Sequence, residues 1–117
     1  MTKISDLKTG MTASYSQTIT ESMVQQFAGL SADHNPVHLN KEYAEGSQFK
    51  QRIAHGLISA SFFSGLFGMR LPGKGCVYVN QSLNFRKPVY IGDTVTAVVE
   101  ISNIDLKKRR VYFDTIC

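Results

Sequence analysis

Residues 31–39, SADHNPVHL, gather one carboxylate (Asp33), two imidazoles (His34 and His38) and one amide (Asn35) around Pro36. Desolvating a titratable group costs stability, so such a cluster beside apolar sequence is either a solvated turn or is kept for acid–base chemistry. An imidazole titrates near ~6.5 and can take or release a proton at neutral pH, while a nearby carboxylate fixes a water and its orientation. The plain alternative is that Asp33 and Asn35 only cap and turn the chain before the proline, as these residue types often do. His34 is expected to face solvent. His34, His38 and His55 resemble a metal set, but Pro36 breaks the helix that would align the first two, and no H-E-x-x-H glutamate accompanies them. No metal is expected.

A second stretch, AHGLISASFFSGLFGM at 54–69, contains no Lys, Arg, Asp or Glu. Its length favours a helix over a strand, and a helix apolar all round is expected to be buried on every side. The first N–H groups of a helix have no internal partner and lie at the positive end of its dipole, which suits a developing oxyanion. Gly56, without a Cβ, lets a reacting carbonyl approach that backbone closely. His55 before it is expected to hydrogen-bond backbone rather than react. Ser59, Ser61 and Ser64 lack the G-x-S-x-G surroundings of a serine nucleophile. Phe62, Phe63, Leu66 and Phe67 read as core.

The elements that hold these stretches follow from periodicity. TASYSQTIT alternates Ala13, Tyr15, Gln17 and Ile19 against polar neighbours, which predicts a first strand. Thr20 can cap a helix carrying Met23, Val24, Phe27 and Leu30 on its apolar face, and that helix must stop before Pro36. NKEYAEGS predicts a short helix from Asn40, and QFKQRI an exposed connection. CVYVNQSLNF, DTVTAVVEISNI and RRVYFDTIC are β-rich runs separated by the turn signals KPVYIGD and DLKK. The sum is an α+β chain in which one helix lies along a curved antiparallel sheet.

With 117 residues, 43% apolar and 19% charged, the chain has the length and composition of one globular domain. No apolar run approaches the ~20 residues that span a bilayer, and MTKISDLKTG lacks the apolar stretch of a signal peptide, so a cytoplasmic protein without membrane association is expected. Cys76 and Cys117 are spaced as neither a metal pair nor a disulfide framework. The net charge of +4 suits a phosphate-bearing small molecule as well as a polyanion. LKKRR reads as a solvated hairpin tip, since nucleic-acid binding needs basic residues interleaved with exposed aromatics; no nucleic acid is expected.

FAGLSADHNPVHLN, IAHGLISASFFSGLFG and LPGKGCVYVNQSLNFRKPVYIGDTVTAVVEI together resemble the MaoC-like, R-specific enoyl-CoA hydratases with the hot-dog fold, over about residues 27–101. The motif Asp-x-Asn-Pro-x-His, followed by His-Gly opening the helix, carries the resemblance. It implies a single hot-dog domain over 1–117, with a central buried helix wrapped by the sheet; other members carry one more strand after the position of Cys117, which here is either cut off or replaced by a differently built end. It implies reversible hydration of a trans-2-enoyl-CoA to the R-3-hydroxyacyl-CoA, with Asp33 and His38 activating water and no cofactor. It places the oxyanion-binding N–H on Gly56, and water-positioning groups on Asn35 and Ser64. A homodimer is also implied, with the pantetheine arm at the subunit interface. Arg86 and Lys87 are candidates for substrate phosphate, and Ile58 and Phe62 for the acyl pocket. The alternatives are a dehydratase of the same fold acting on acyl-carrier-protein thioesters, and a catalytically silent acyl-thioester or nucleic-acid binding module.

Overall fold

The computed structural model describes residues 3–117. In chain order, a short 3-10 turn at Ile4–Asp6 precedes β1 (Thr12–Thr18), α1 (Glu21–Ser31), α2 (Pro36–Leu39), α3 (Lys41–Glu45), α4 (Gly56–Met69), β2 (Thr94–Asp105) and β3 (Arg110–Ile116). The chain forms two compact units, one made of the residues up to Ser16, Ala60–Gln81 and Thr96–Cys117, the other of Gln17–Ser59 and Ser82–Val95.

In the first unit the sheet has the order β1-β2-β3, and β2 runs antiparallel to β3 with Ile101 opposite Phe113. Alternation along β2 buries Ala97, Val99 and Ile101 and turns the residues between them outward. The register slips between Ile101 and Asn103, and a bulge of this kind bends its strand. Onto this sheet packs the later part of α4: Phe62 meets Tyr15 edge-on at 5.4 Å between ring centres, and Phe67 meets Phe113 at 4.6 Å. The expected helix laid along a curved antiparallel sheet is therefore present. Tyr78 packs its ring against Phe67 at 5.2 Å and bonds its hydroxyl to Gln81; burial pushes its phenol pKa up.

Three expectations need correcting. CVYVNQSLNF forms no regular strand. A strand exists by hydrogen bonding to a neighbour, and without a ladder the alternating apolar side chains stay in water, with Val77 82% and Phe85 62% exposed. Nor is α4 buried on every side. It buries Ile58, Ser59, Phe62, Phe63 and Leu66, while Leu57, Ser61, Ser64, Gly65 and Met69 form an exposed stripe at helical spacing. The composition of 54–69 hid this stripe because small residues and apolar ones read alike at the surface and in a core. Leu30, placed on the apolar face of α1, is exposed as well.

On the outward face of the same sheet Glu100 stands directly opposite Asp114, both exposed, and like charges in cross-strand register repel. Glu100→Lys replaces the repulsion by an attraction. It is expected to stabilise the fold by about 0.5 kcal/mol, seen as a melting temperature higher by about 1–3 °C at low salt and a smaller gain at high salt.

In the second unit, Thr20 caps α1, its hydroxyl accepting the Met23 N–H at 3.2 Å, as its position predicted. Val24 and Ala28 are the buried face of that helix. Asn35 caps α2 and Asn40 caps α3 through their side-chain oxygens. The chain leading to α4 is tied down by Ala54 N–H to Val89 O at 2.7 Å, Ile53 N–H to Val37 O at 3.3 Å and an isolated bridge between Ile53 and Tyr90. Arg52 holds Glu21 at 2.9 Å. The hydrogen bond and positive charge of that guanidinium lower the Glu21 carboxyl pKa. These ties fix residues 52–55, and with them the first turn of α4.

Candidate active site

Residues 31–38 build the site through a chain of local hydrogen bonds. Ala32, at the end of α1, adopts φ 64° and ψ 16°, a left-handed conformation costing a non-glycine residue about 1 kcal/mol. The reversal is held by the Ser31 hydroxyl, which donates to Phe27 O at 2.7 Å and accepts the Asp33 N–H at 3.1 Å. Asp33 Oδ1 accepts the Asn35 N–H at 3.1 Å, and Asn35 Oδ1 accepts the Val37 N–H at 3.1 Å. Pro36 occupies the first turn of α2, where its missing N–H costs nothing. So the capping and turning role weighed for Asp33 and Asn35 is realised, and it coexists with a second use of Asp33.

That second use involves Oδ2, which lies 4.0 Å from His38 Nε2. His38 is buried and its Nδ1 lies 2.7 Å from Ile53 O. A carbonyl oxygen only accepts, so Nδ1 carries a proton, and in its neutral form the ring leaves Nε2 as the lone pair on the side of Asp33. The 4.0 Å gap is too long for a direct hydrogen bond, yet a water placed to one side can sit about 2.8 Å from both atoms. Asp33 is about half exposed on its side chain, so the gap is open to solvent from that side.

His55 completes the cluster. Its ring stacks on His38 with centres 3.9 Å apart and planes 29° apart, its Nε2 donates to Asp33 O at 3.0 Å, and Phe27 lies 4.8 Å away on a tilted plane. The backbone hydrogen bond expected of His55 is therefore made. Asp33, His38 and His55 bring one potential ligand atom each within 4.8 Å of one another, the residue types that hold a divalent metal. Face-to-face imidazoles, however, keep their in-plane lone pairs in nearly parallel sheets, a poor arrangement for one ion about 2.0–2.1 Å from both nitrogens. His34 stands exposed and outside the cluster.

Gly56 follows His55 and opens α4. Its N–H, at the first position of that helix, has no preceding turn to bond to. The Phe85 ring lies against the same glycine: a methyl group built on Gly56 meets Phe85 Cδ1 and Cε1 at 2.7 Å. Arg86 and Lys87 come directly after that ring, exposed and, among the described residues, outside the ion pairs. Ile58 is buried one half-turn beyond Gly56, and Phe62 is buried against Tyr15. Ser64 lies on the exposed stripe of α4, two turns past Gly56, or about 12 Å of helix rise. Sequence reading did not single out Phe85 or the contact of Phe27 with His55. Both residues fitted ordinary periodic patterns, and nothing in those patterns marks which ring will lie over a glycine or an imidazole.

Comparison with known proteins shows the family and the fold. The family described as MaoC like domain matches residues 4–115. An (R)-specific enoyl-CoA hydratase of Rhodospirillum rubrum is 54% identical over 112 residues, covering 96% of this chain and 78% of that protein. A 3-hydroxybutyryl-CoA dehydratase of Methylorubrum extorquens is 43% identical over 112 residues, covering 96% and 71%. The solved (R)-hydratase from A. caviae, described as involved in PHA biosynthesis, superimposes with a TM-score of 0.91 at 43% identity, covering 93% of this chain and 83% of its own. With a motif built as described, a fold shared with that hydratase and a family match over nearly its whole length, the chain belongs to the MaoC-like family.

Proposed function

We propose that the protein is an R-specific enoyl-CoA hydratase, adding water reversibly to a trans-2-enoyl-CoA to give the (R)-3-hydroxyacyl-CoA. The observation that carries this reading is the Nε2 lone pair of His38 facing Asp33 Oδ2 across 4.0 Å, beside the helix opened by Gly56. Water held between the two groups gives a proton to His38 Nε2 as its oxygen bonds to C3 of the substrate. The π electrons shift onto the thioester oxygen, where the Gly56 N–H stabilises the enolate charge. C2 then takes a proton returned by the Asp33/His38 pair, so that one water has been added and both groups regain their starting state. Asn35 serves this step by fixing the turn that sets the distance between Asp33 and His38.

Ile58, already buried, lies against the acyl chain in this reading. Arg86 and Lys87, following the ring that lies on Gly56, take the phosphates of CoA. A homodimer built from one hot-dog domain per chain is part of the same proposal. The exposed stripe of α4 and the apolar side chains of 77–85 are surfaces that a second copy would cover, and a single family match over 4–115 supports the one-domain reading. No helix among the described residues is long and apolar enough to cross a membrane, and the exposed thiols of Cys76 and Cys117 suit a reducing compartment such as the cytoplasm.

The test is loss of the enoyl-thioester absorbance of crotonyl-CoA, with chiral analysis of the product. Formation of the R isomer supports the reading; no hydration, or the S isomer, overturns it. Arg86→Ala is expected to raise KM about three- to tenfold for crotonyl-CoA, in line with loss of one exposed phosphate contact, and to leave crotonyl-pantetheine nearly unchanged. Equal effects on the two thioesters remove the phosphate role. A rate on the acyl-carrier-protein thioester exceeding that on CoA assigns the enzyme to carrier-protein dehydration instead.

A further inference from the structure

We infer that His55 is a positioning residue for the hydration step, holding Asp33 and His38 in register through its two sides. The inference rests on the hydratase reading of Asp33 and His38. His55 is buried at 3% exposure, and it touches the His38 ring and the backbone of Asp33. At its edge, Nε2–H donates to the Asp33 backbone carbonyl at 3.0 Å. That carbonyl belongs to the residue following the left-handed Ala32, where the backbone has no helix or strand to hold it. On its face, the ring covers the His38 imidazole at 3.9 Å.

His38 is thus confined in two directions: its Nδ1–H is fixed by Ile53 O at 2.7 Å, and one face is blocked by His55. What remains is Nε2, 4.0 Å from Asp33 Oδ2. Because His55 adjoins Gly56 in the chain, its placement also ties the start of α4 to the Asp33 turn, so one side chain sets base, carboxylate and oxyanion donor against each other. A second feature sets His55 apart from a packing residue. With Nε2 donating to a carbonyl, the neutral ring keeps Nδ1 as a buried lone pair, and that atom has no hydrogen-bond partner among the described residues. An apolar aromatic would fill the space without this orphaned atom, so the imidazole is retained for what its other edge does.

The contrast of glutamine with asparagine separates donor geometry from packing. A glutamine amide nitrogen reaches about as far as Nε2 of histidine, whereas an asparagine nitrogen reaches only about as far as Nδ1. His55→Gln is therefore expected to keep the bond to Asp33 O and retain kcat for crotonyl-CoA within about threefold. His55→Asn and His55→Phe lose it and are expected to lower kcat about ten- to a hundredfold, with KM changed less than threefold, as misplacement of reacting groups does. Melting temperatures and kcat per folded protein are measured on all three. Wild-type kcat in His55→Asn, or equal losses in the Gln and Asn variants, overturns the positioning role. The wild type, Asp33→Asn and His38→Asn, run alongside, distinguish the two levels: no hydration by the wild type sinks the hydratase reading, full activity in the two variants removes Asp33 and His38 from the step, and inactive variants with an active His55→Asn sink only the role of His55.

Discussion

Asp33→Asn is expected to lower kcat for enoyl-CoA hydration by about 10²–10⁴, the range for loss of a group engaged in proton transfer, with the melting temperature nearly unchanged. The substitution is isosteric, and an amide oxygen accepts the Asn35 N–H as well as Oδ1 does at 3.1 Å, so the turn persists. What changes is the other atom, which becomes an NH2 facing the His38 Nε2 lone pair and no longer a carboxylate able to hold and exchange protons with water. His38→Asn complements it. Its amide nitrogen falls near the position of Nδ1 and keeps the bond to Ile53 O, while the Nε2 base is gone; a loss of similar size is expected. Because the two groups act on one water, the double variant should be little worse than either single one, and multiplicative losses would indicate that they act in separate steps. Initial rates on crotonyl-CoA, with thermal melts to verify folding, decide the matter. Near-normal kcat in Asp33→Asn contradicts the assignment.

Gly56→Ala is expected to lower kcat/KM for the enoyl-CoA by about ten- to a hundredfold while changing stability by less than about 1 kcal/mol. The added methyl meets the Phe85 ring at 2.7 Å, a contact that forces one of them to move. Phe85 is 62% exposed and lies outside any regular strand, so its ring can swing into solvent at small cost, and alanine at the start of a helix is otherwise well tolerated. The loss of activity then comes from the methyl group standing where the thioester oxygen approaches the N–H. Pairing the change with Phe85→Ala separates the two causes. If crowding by the ring were responsible, the double variant would regain activity; if approach to the backbone is responsible, it stays impaired. Steady-state kinetics on the single and double variants read the difference directly.

Much of this was legible in the sequence, for reasons that differ by element. The Thr20 cap, the end of α1 ahead of Pro36 and the short helix after Asn40 are local matters, decided by side-chain oxygens and the turn at Ala32, and they stand where the residues put them. β2 was legible because its alternation has one buried face. CVYVNQSLNF alternates equally well and forms no strand, since pairing depends on a neighbour rather than on the run itself. The exposed stripe of α4 was illegible because its glycine and serines serve both close packing and open surface, and its leucine and methionine read as core. In the site, the approach of Asp33 to His38 followed from the motif, while the stacking of His55 on His38 and the seat of Phe85 on Gly56 depend on contacts between segments far apart in the chain, which spacing does not encode.

The Asp33 carboxylate divides its labour between its two oxygens, one committed to the Asn35 amide and the other turned toward His38. Architecture and reactivity are therefore drawn from the same functional group, and selection cannot tune one without meeting the other. Glutamate, longer by one methylene, could keep an acid at this position only by giving up the short loop it closes. A redesign aimed at new chemistry here must first find another clasp for that loop.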